Sequence, residues 1–219
     1  MNRGSKIALG VWGAAACLAT IAAVGQSLWL RATDENRDKW QRPNEVMDEL
    51  GVQAGSVVGD VGAGQGYFTF RLATRVGPAG RVYSVDIDAS RLAEIRKKAE
   101  REGLRQIELI HGATNDPRLP TEALDAILVV NTYHEMHEHE AMLRGMYRAL
   151  RPGGVLGIID EAAPQGRPRS VYQQNHEIPK ELVREDATRI GFGYAREPAG
   201  FHTADGENWY FLIFSKPTS

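Results

Sequence analysis

Residues 57–68 read VVGDVGAGQGYF: a short apolar run, then three glycines in five positions, Gly62, Gly64 and Gly66. An apolar strand that runs into such a loop lets a ligand come close to the backbone, because glycine has no Cβ to hold it off. Loops of this kind serve a nucleoside triphosphate, a dinucleotide, or a ligand carrying no phosphate. A triphosphate loop ends in Gly-Lys-Ser or Gly-Lys-Thr, and neither follows here. A dinucleotide loop reads Gly-x-Gly-x-x-Gly, with an acidic residue about 20 positions further on. Here the spacing is Gly62-x-Gly64-x-Gly66, and Asp60 precedes the first glycine. A carboxylate at that place opposes a pyrophosphate and favours a cationic amino group.

Outward from the loop, apolar runs alternate with helical patterns. The segments SVVGDV, GRVYSVDID, IELIHG, LDAILVVN, VLGIID and WYFLIFSK read as strands, with a short further strand around Tyr194 to Glu197. Between them, YFTFRLATRVG, SRLAEIRKKAEREG, HEAMLRGMYRAL and KELVREDATRIG show helical spacing, and RPNEVMDELGV predicts a short helix upstream. Gly103 and the Arg151-Pro152-Gly153-Gly154 run are placed to end helices. The alternation predicts an α/β sheet with right-handed crossovers. Its ligand is expected beyond the carboxyl ends of the strands, at the switch point beside the first.

Asp86 ends the second strand, 20 residues after Gly66, where a carboxylate can take a ribose diol. Loop, Asp60 and Asp86 together describe a nucleoside with a cationic tail and no phosphate, which is the description of S-adenosylmethionine. On VVGDVGAGQGYFTFRLA, RVYSVDID, LDAILVVNTYHEM and LRPGG, in that order over residues 40–219, the chain resembles the class I S-adenosylmethionine-dependent methyltransferases. It is especially similar to a bacterial group with WQ-P upstream, a GAGxGYF loop and an NTYH motif after strand four. The resemblance implies a Rossmann-like seven-stranded, mostly parallel sheet with an antiparallel last strand. It implies a cofactor over Gly62, Ala63, Gly64 and Gly66, with Asp86 on the ribose and Ile87 beside it; Tyr67 and Phe68 are placed either to shield the cofactor or to pack the helix in the core. Many relatives carry an acid directly after the strand-three glycine. Here Ala113 and Thr114 follow Gly112, and Asp116 comes later, which leaves the adenine to the backbone of Ala113.

Methyl transfer from a sulfonium needs alignment and water exclusion, and a base only where the nucleophile arrives protonated. NTYHEMHEHE holds the candidates. Asn131 is expected at the methyl end of the cofactor, with Tyr133 and His134 where the acceptor enters. His176, in NHEIP, precedes the late helix and is a third candidate for closing the site. His111 and His202 read as structural. On a continuous helix His134 and Glu138 would share a face, as would Glu135 and His139. That spacing matches no zinc signature, so no metal is expected.

With 42% apolar residues, a net charge of −2 and mixed signs along the chain, the sequence predicts a real core and no nucleic-acid partner. Cys17 is the only cysteine, which excludes an internal disulfide and a cysteine-based zinc cluster. Residues 7–30 are 24 uncharged residues, about 36 Å as a helix against a hydrocarbon core of about 30 Å. Arg3 and Lys6 precede them, and Trp12 and Trp29 lie towards their ends. The length favours a single-pass membrane anchor at 1–30, with a charged linker at 31–39 and the methyltransferase domain at 40–219. A cleaved signal and a lipoprotein at Cys17 are the other readings. Arg31, Arg37, Lys39 and Arg42 follow the apolar run, so the positive-inside rule leaves the side of the membrane open. An exported domain would also lack a donor made in the cytosol. The function expected is methylation of a small-molecule, lipid or envelope-associated acceptor. A non-catalytic cofactor-binding module and an NAD-dependent oxidoreductase are the alternatives.

Overall fold

The computed structural model describes residues 36–198 and 208–218. The expected apolar helix at 7–30 and His202 lie outside them. Among the described residues, no helix is long and apolar enough to cross a membrane. Residues up to Gln41 form one unit, and Arg42–Ser219 form the other. Residues 36–41 are helical, where a charged linker was expected as far as 39. Arg37 Nε donates to Gln41 Oε1 at 2.8 Å across one turn, the spacing at which helix side chains meet.

The larger unit holds a seven-stranded sheet: β1 Val57–Val61, β2 Arg81–Asp86, β3 Ile107–His111, β4 Leu124–Val130, β5 Leu150–Glu161, β6 Gly193–Arg196 and β7 Trp209–Ser215. Their spatial order is β3-β2-β1-β4-β5-β7-β6. The first five strands pair in parallel, and β7 runs antiparallel to both β5 and β6. The helices are α1 Pro43–Glu49, α2 Tyr67–Val76, α3 Ala89–Glu102, α4 His139–Ala149, α5 Arg169–Asn175 and α6 Lys180–Ile190. The direction of strand addition reverses between β1 and β4. There the chain opens a crevice above the carboxyl ends of the strands.

The core follows from the apolar runs. Ile127 and Val129 of β4, Leu143 and Met146 of α4, Ile158 of β5 and Leu212 of β7 belong to one buried cluster. Each such side chain removed from water contributes about 1.5–3 kcal/mol before chain entropy is counted. A smaller cluster joins Ala63, Phe70, Leu92 and Ile95, so the glycine loop, α2 and α3 are locked together beside the crevice. Asp88 caps α3 by accepting the Ser90 backbone N–H at 2.8 Å, and Gly103 closes it in the left-handed region.

Two elements differ from their expected form. The Arg151–Gly154 run is part of β5, not only the end of a helix: Leu150 already pairs with Leu124. Gly153, at φ 79°, donates its N–H to Lys216 O at 2.9 Å. Helix α5, between Pro168 and His176, was not foreseen; Tyr172 is its only fully buried residue, so the segment has no apolar stripe to announce it.

Candidate active site

The three loop glycines answer three different demands. Gly62, at φ 80°, lies against Thr132, whose Cγ2 would be 2.4 Å from a Cβ at this position. Gly66, at φ 83°, opens α2, and a Cβ there would press on Phe70 and Ile95 at 2.8 and 3.0 Å. Gly64, at φ 55°, faces free space: the nearest atom to its Cβ position is Arg91 Nη1 at 3.9 Å. The Gly62 and Ala63 N–H groups both donate to Val85 O, at 2.9 and 3.0 Å, and fold the loop over the end of β2. Gly64 N–H donates to Asp86 Oδ2 at 2.8 Å, and Asp88 N–H donates to Asp86 Oδ1 at 2.9 Å. A carboxylate has about four acceptor positions, so Asp86 keeps lone pairs for a further donor.

Beside this loop is a cavity of about 370 Å³, within the range of small-molecule sites. Of the expected cofactor residues, Gly62, Asp86, Ile87, Ala113 and Thr114 line it. Ile87 is 60% exposed, an apolar side chain on the wall. Ala63 and Gly66 lie behind the wall in the packing against α3. Tyr67 is buried edge-to-face on Phe68. Asp60 is also buried and accepts from Thr69 Oγ1; it is not among the lining residues. The Ala113 N–H is engaged in a turn with Asp116 O at 2.8 Å. The Asp116 carboxylate accepts from Arg118 N–H. Thr132, Glu135, Met136, His137, Asp88 and Arg91 complete much of the wall. Sequence reasoning missed all six as lining, although four belong to the NTYHEMH run it singled out.

Beyond β4 the chain turns sharply. Asn131 sits at φ 51° with its N–H on Ile159 O at 2.8 Å, and its side chain is exposed outside the lining. Tyr133–Glu135 is a single 3-10 turn, and α4 starts only at His139. The helix faces expected to pair His134 with Glu138, and Glu135 with His139, therefore do not form. Tyr133, expected beside the acceptor, is fully buried, and its hydroxyl donates to Asp186 Oδ2 at 2.9 Å. Arg169 and Arg189 hold the same carboxylate. Burial and the Asp186 charge push the Tyr133 phenol well above its ordinary pKa, so it keeps its proton.

His134 is brought to the site from an unforeseen direction. Its Nδ1 lies 2.7 Å from Asp160 Oδ1, and its backbone N–H donates to Asp160 Oδ2 at 3.1 Å. Asp160, at the end of β5, is completely buried. Its place was readable: it is the last residue of VLGIID, at the carboxyl end of a central strand. His134 Nε2 faces His176 Nδ1 at 3.3 Å. His176, at φ 57°, caps α5 and exposes 69% of its side chain. Glu135 Oε1 stands 3.9 Å from His134 Nε2 and 3.8 Å from His176 Nδ1. Burial lowers the His134 pKa, but the hydrogen bond and charge of Asp160, with Glu135 and Glu161, outweigh it and raise the imidazole above its usual value. His111, read as structural, sets its Nε2 2.9 Å from Ile87 O beneath the cavity rim.

Residues 58–154 match the family described as a methyltransferase domain. A demethylmenaquinone methyltransferase from Listeria welshimeri is 32% identical over 126 residues, 58% of this chain and 52% of that one. The chain thus spans about half the length of the curated relatives it matches. Among solved structures, a SAM-dependent methyltransferase from Aquifex aeolicus superposes with a TM-score of 0.70 at 24% identity, over 82% of this chain and 92% of that one. Phosphoethanolamine N-methyltransferase 2 of Haemonchus contortus, in complex with S-adenosyl-L-methionine, gives 0.66 at 17% identity, over 81% and 53%. Residues 58–154 are thus similar to a methyltransferase domain, and the sheet around them has the fold of solved methyltransferases.

Proposed function

We propose that the whole chain transfers a methyl group from S-adenosylmethionine, bound in the 370 Å³ cavity, to a small-molecule, lipid or envelope-associated acceptor. The observation that carries this reading is the charge of the wall. Asp86, Asp88 and Glu135 line it against one guanidinium, that of Arg91. Three carboxylates favour a cationic ligand and repel a pyrophosphate, which argues against the dinucleotide alternative.

In this reading Asp86 accepts the ribose hydroxyls with the lone pairs its two backbone donors leave open. The exposed face of Ile87 packs on the adenine, with Ala113 and Thr114 at its edge. The missing Cβ of Gly64 leaves room above the loop. Bound cofactor supplies a methyl group on a sulfonium. The chain supplies alignment, an apolar wall from Met136 and Met142, and exclusion of water. The acceptor approaches past Glu135, towards His134 and His176. A lipid-borne acceptor is favoured by the uncharged run at residues 7–30. The name of the Listeria relative, a demethylmenaquinone methyltransferase, points the same way.

Calorimetry with S-adenosylmethionine and with NAD, followed by labelled-methyl transfer over membrane, metabolite and protein extracts, tests the proposal. Stoichiometric binding of the first alone, with label in the membrane extract, is the expected result. Binding without transfer to any extract would favour the non-catalytic module.

A further inference from the structure

Three donor atoms converge next to the cavity from two separate parts of the chain. His134 and Glu135 come from the turn after β4, and His176 from the cap of α5, 42 residues away. Asp160 is a carboxylate without a donor of its own, so the 2.7 Å contact requires the proton on His134 Nδ1. Once a cation displaces the second ring proton, His134 presents its Nε2 lone pair towards His176 Nδ1, 3.3 Å away. Ligands about 2.0–2.1 Å from a tetrahedral zinc ion lie about 3.3 Å apart, which is the separation of these two nitrogens. Glu135 Oε1, at 3.8 and 3.9 Å, is too far to hydrogen-bond either ring, yet is near both ring nitrogens. Its side chain is 58% exposed. His176 adopts a left-handed backbone conformation, uncommon for a residue with a Cβ, and its ring stands edge-to-face to that of His134.

We propose that His134 Nε2, His176 Nδ1 and Glu135 Oε1 form a binding site for a divalent first-row cation of the zinc class. Two imidazoles and one carboxylate are a known catalytic donor set that leaves a fourth position open. Asp160 supplies the outer contact such sites use: a carboxylate on the far nitrogen of a ligating histidine fixes its tautomer and orientation. Glu135 is also a wall of the cavity. The open position therefore borders the space where the methyl group is delivered, and it suits an acceptor with an oxygen or sulfur nucleophile. This last step alone rests on the methyltransferase reading.

The test is titration of the full chain, stripped with chelator, with Zn²⁺ by calorimetry and with Co²⁺ by visible absorption. One equivalent per chain is expected, with the absorption of a low-symmetry N/O site. His176→Ala and Glu135→Gln change exposed side chains, and each should weaken binding at least about 10-fold. Asp160→Asn should weaken it by about 10- to 100-fold. Far-ultraviolet circular dichroism and cooperative urea unfolding of the same samples report whether each variant is folded. Absence of binding by the parent, or binding that both His176→Ala and Glu135→Gln leave intact, overturns the site. Zinc binding by a protein that ignores S-adenosylmethionine would sink the cofactor cavity and leave the cation site standing.

Discussion

Asp160 grips His134 twice, with Oδ1 2.7 Å from the ring Nδ1 and Oδ2 3.1 Å from the backbone nitrogen. One carboxylate at the end of β5 thereby fixes both the turn after β4 and the orientation of its imidazole. Asp160→Asn keeps the shape but gives one side of the side chain donors where acceptors are needed. A loss of about 1.5–3 kcal/mol is expected in urea unfolding, the scale of a hydrogen bond to a charged group. Affinity for S-adenosylmethionine should barely move, because Asp160 is not on the cavity wall. A variant as stable as the parent would show that the buried pair does not hold the turn.

Asp86 receives backbone N–H groups from Gly64 and Asp88, so it shapes the loop as well as facing the cavity. Asp86→Ala should weaken S-adenosylmethionine binding by about 1.5–3 kcal/mol, a drop of about 10- to 150-fold. Calorimetry reads this directly, and unchanged affinity would remove Asp86 from the ribose.

The strand pattern was legible because buried parallel strands are continuous apolar runs, as in LDAILVVN and VLGIID. The glycine loop and Asp86 were legible because their chemistry is local: Gly62 and Asp86 are both on the wall. The strand order came from resemblance and not from periodicity, since any right-handed arrangement satisfies the same pattern. The Asp160–His134–His176 series was half legible. Both histidines were singled out, but their contact depends on α5, a segment with a single buried side chain. Tyr133 and His134 are neighbours in sequence, and a 3-10 turn sends them in different directions. Tyr133 goes to Asp186 and His134 to Asp160. No spacing rule distinguishes that turn from the first turn of a longer helix.

Tyr210 gives a prediction in alkali. Its hydroxyl is buried and has no hydrogen-bond partner among the described residues. Burial, with the charge of Asp160, pushes its pKa well above the ordinary value, as burial also does for Tyr133. A raised folded-state pKa gives stability that is fully present below the unfolded value, about 10. That stability is lost as pH rises from there towards the folded pKa. Denaturation should therefore steepen above about pH 10. Tyr210→Phe should flatten that limb and, by removing an unsatisfied polar group, stabilise the protein by about 1 kcal/mol at neutral pH. Unfolding curves from pH 7 to 11 check both; a destabilised phenylalanine variant would mean that the hydroxyl has a partner after all.

Gly62 and Gly64 stand two positions apart in the same loop and should fail in opposite ways. At Gly62 a methyl group would lie 2.4 Å from Thr132 Cγ2 in a left-handed backbone. Overpacking of this kind costs about 1–3 kcal/mol, and the backbone adds about 1–2 kcal/mol. Gly62→Ala should therefore lower stability by a few kcal/mol, and Thr132→Ala should recover only part of the packing share, because the Thr132 Cβ itself would lie 2.7 Å from the added methyl, while leaving the backbone share. At Gly64 the Cβ position has only Arg91 Nη1 near it, at 3.9 Å. Gly64→Ala should cost little beyond the backbone, about 1–2 kcal/mol, yet block S-adenosylmethionine because it fills the space reserved for the ligand. Thermal unfolding and calorimetry on the two variants separate these outcomes. A stable Gly64→Ala protein that binds like the parent would show that the cofactor does not pass over this glycine, and the loop would then owe its sequence to packing alone.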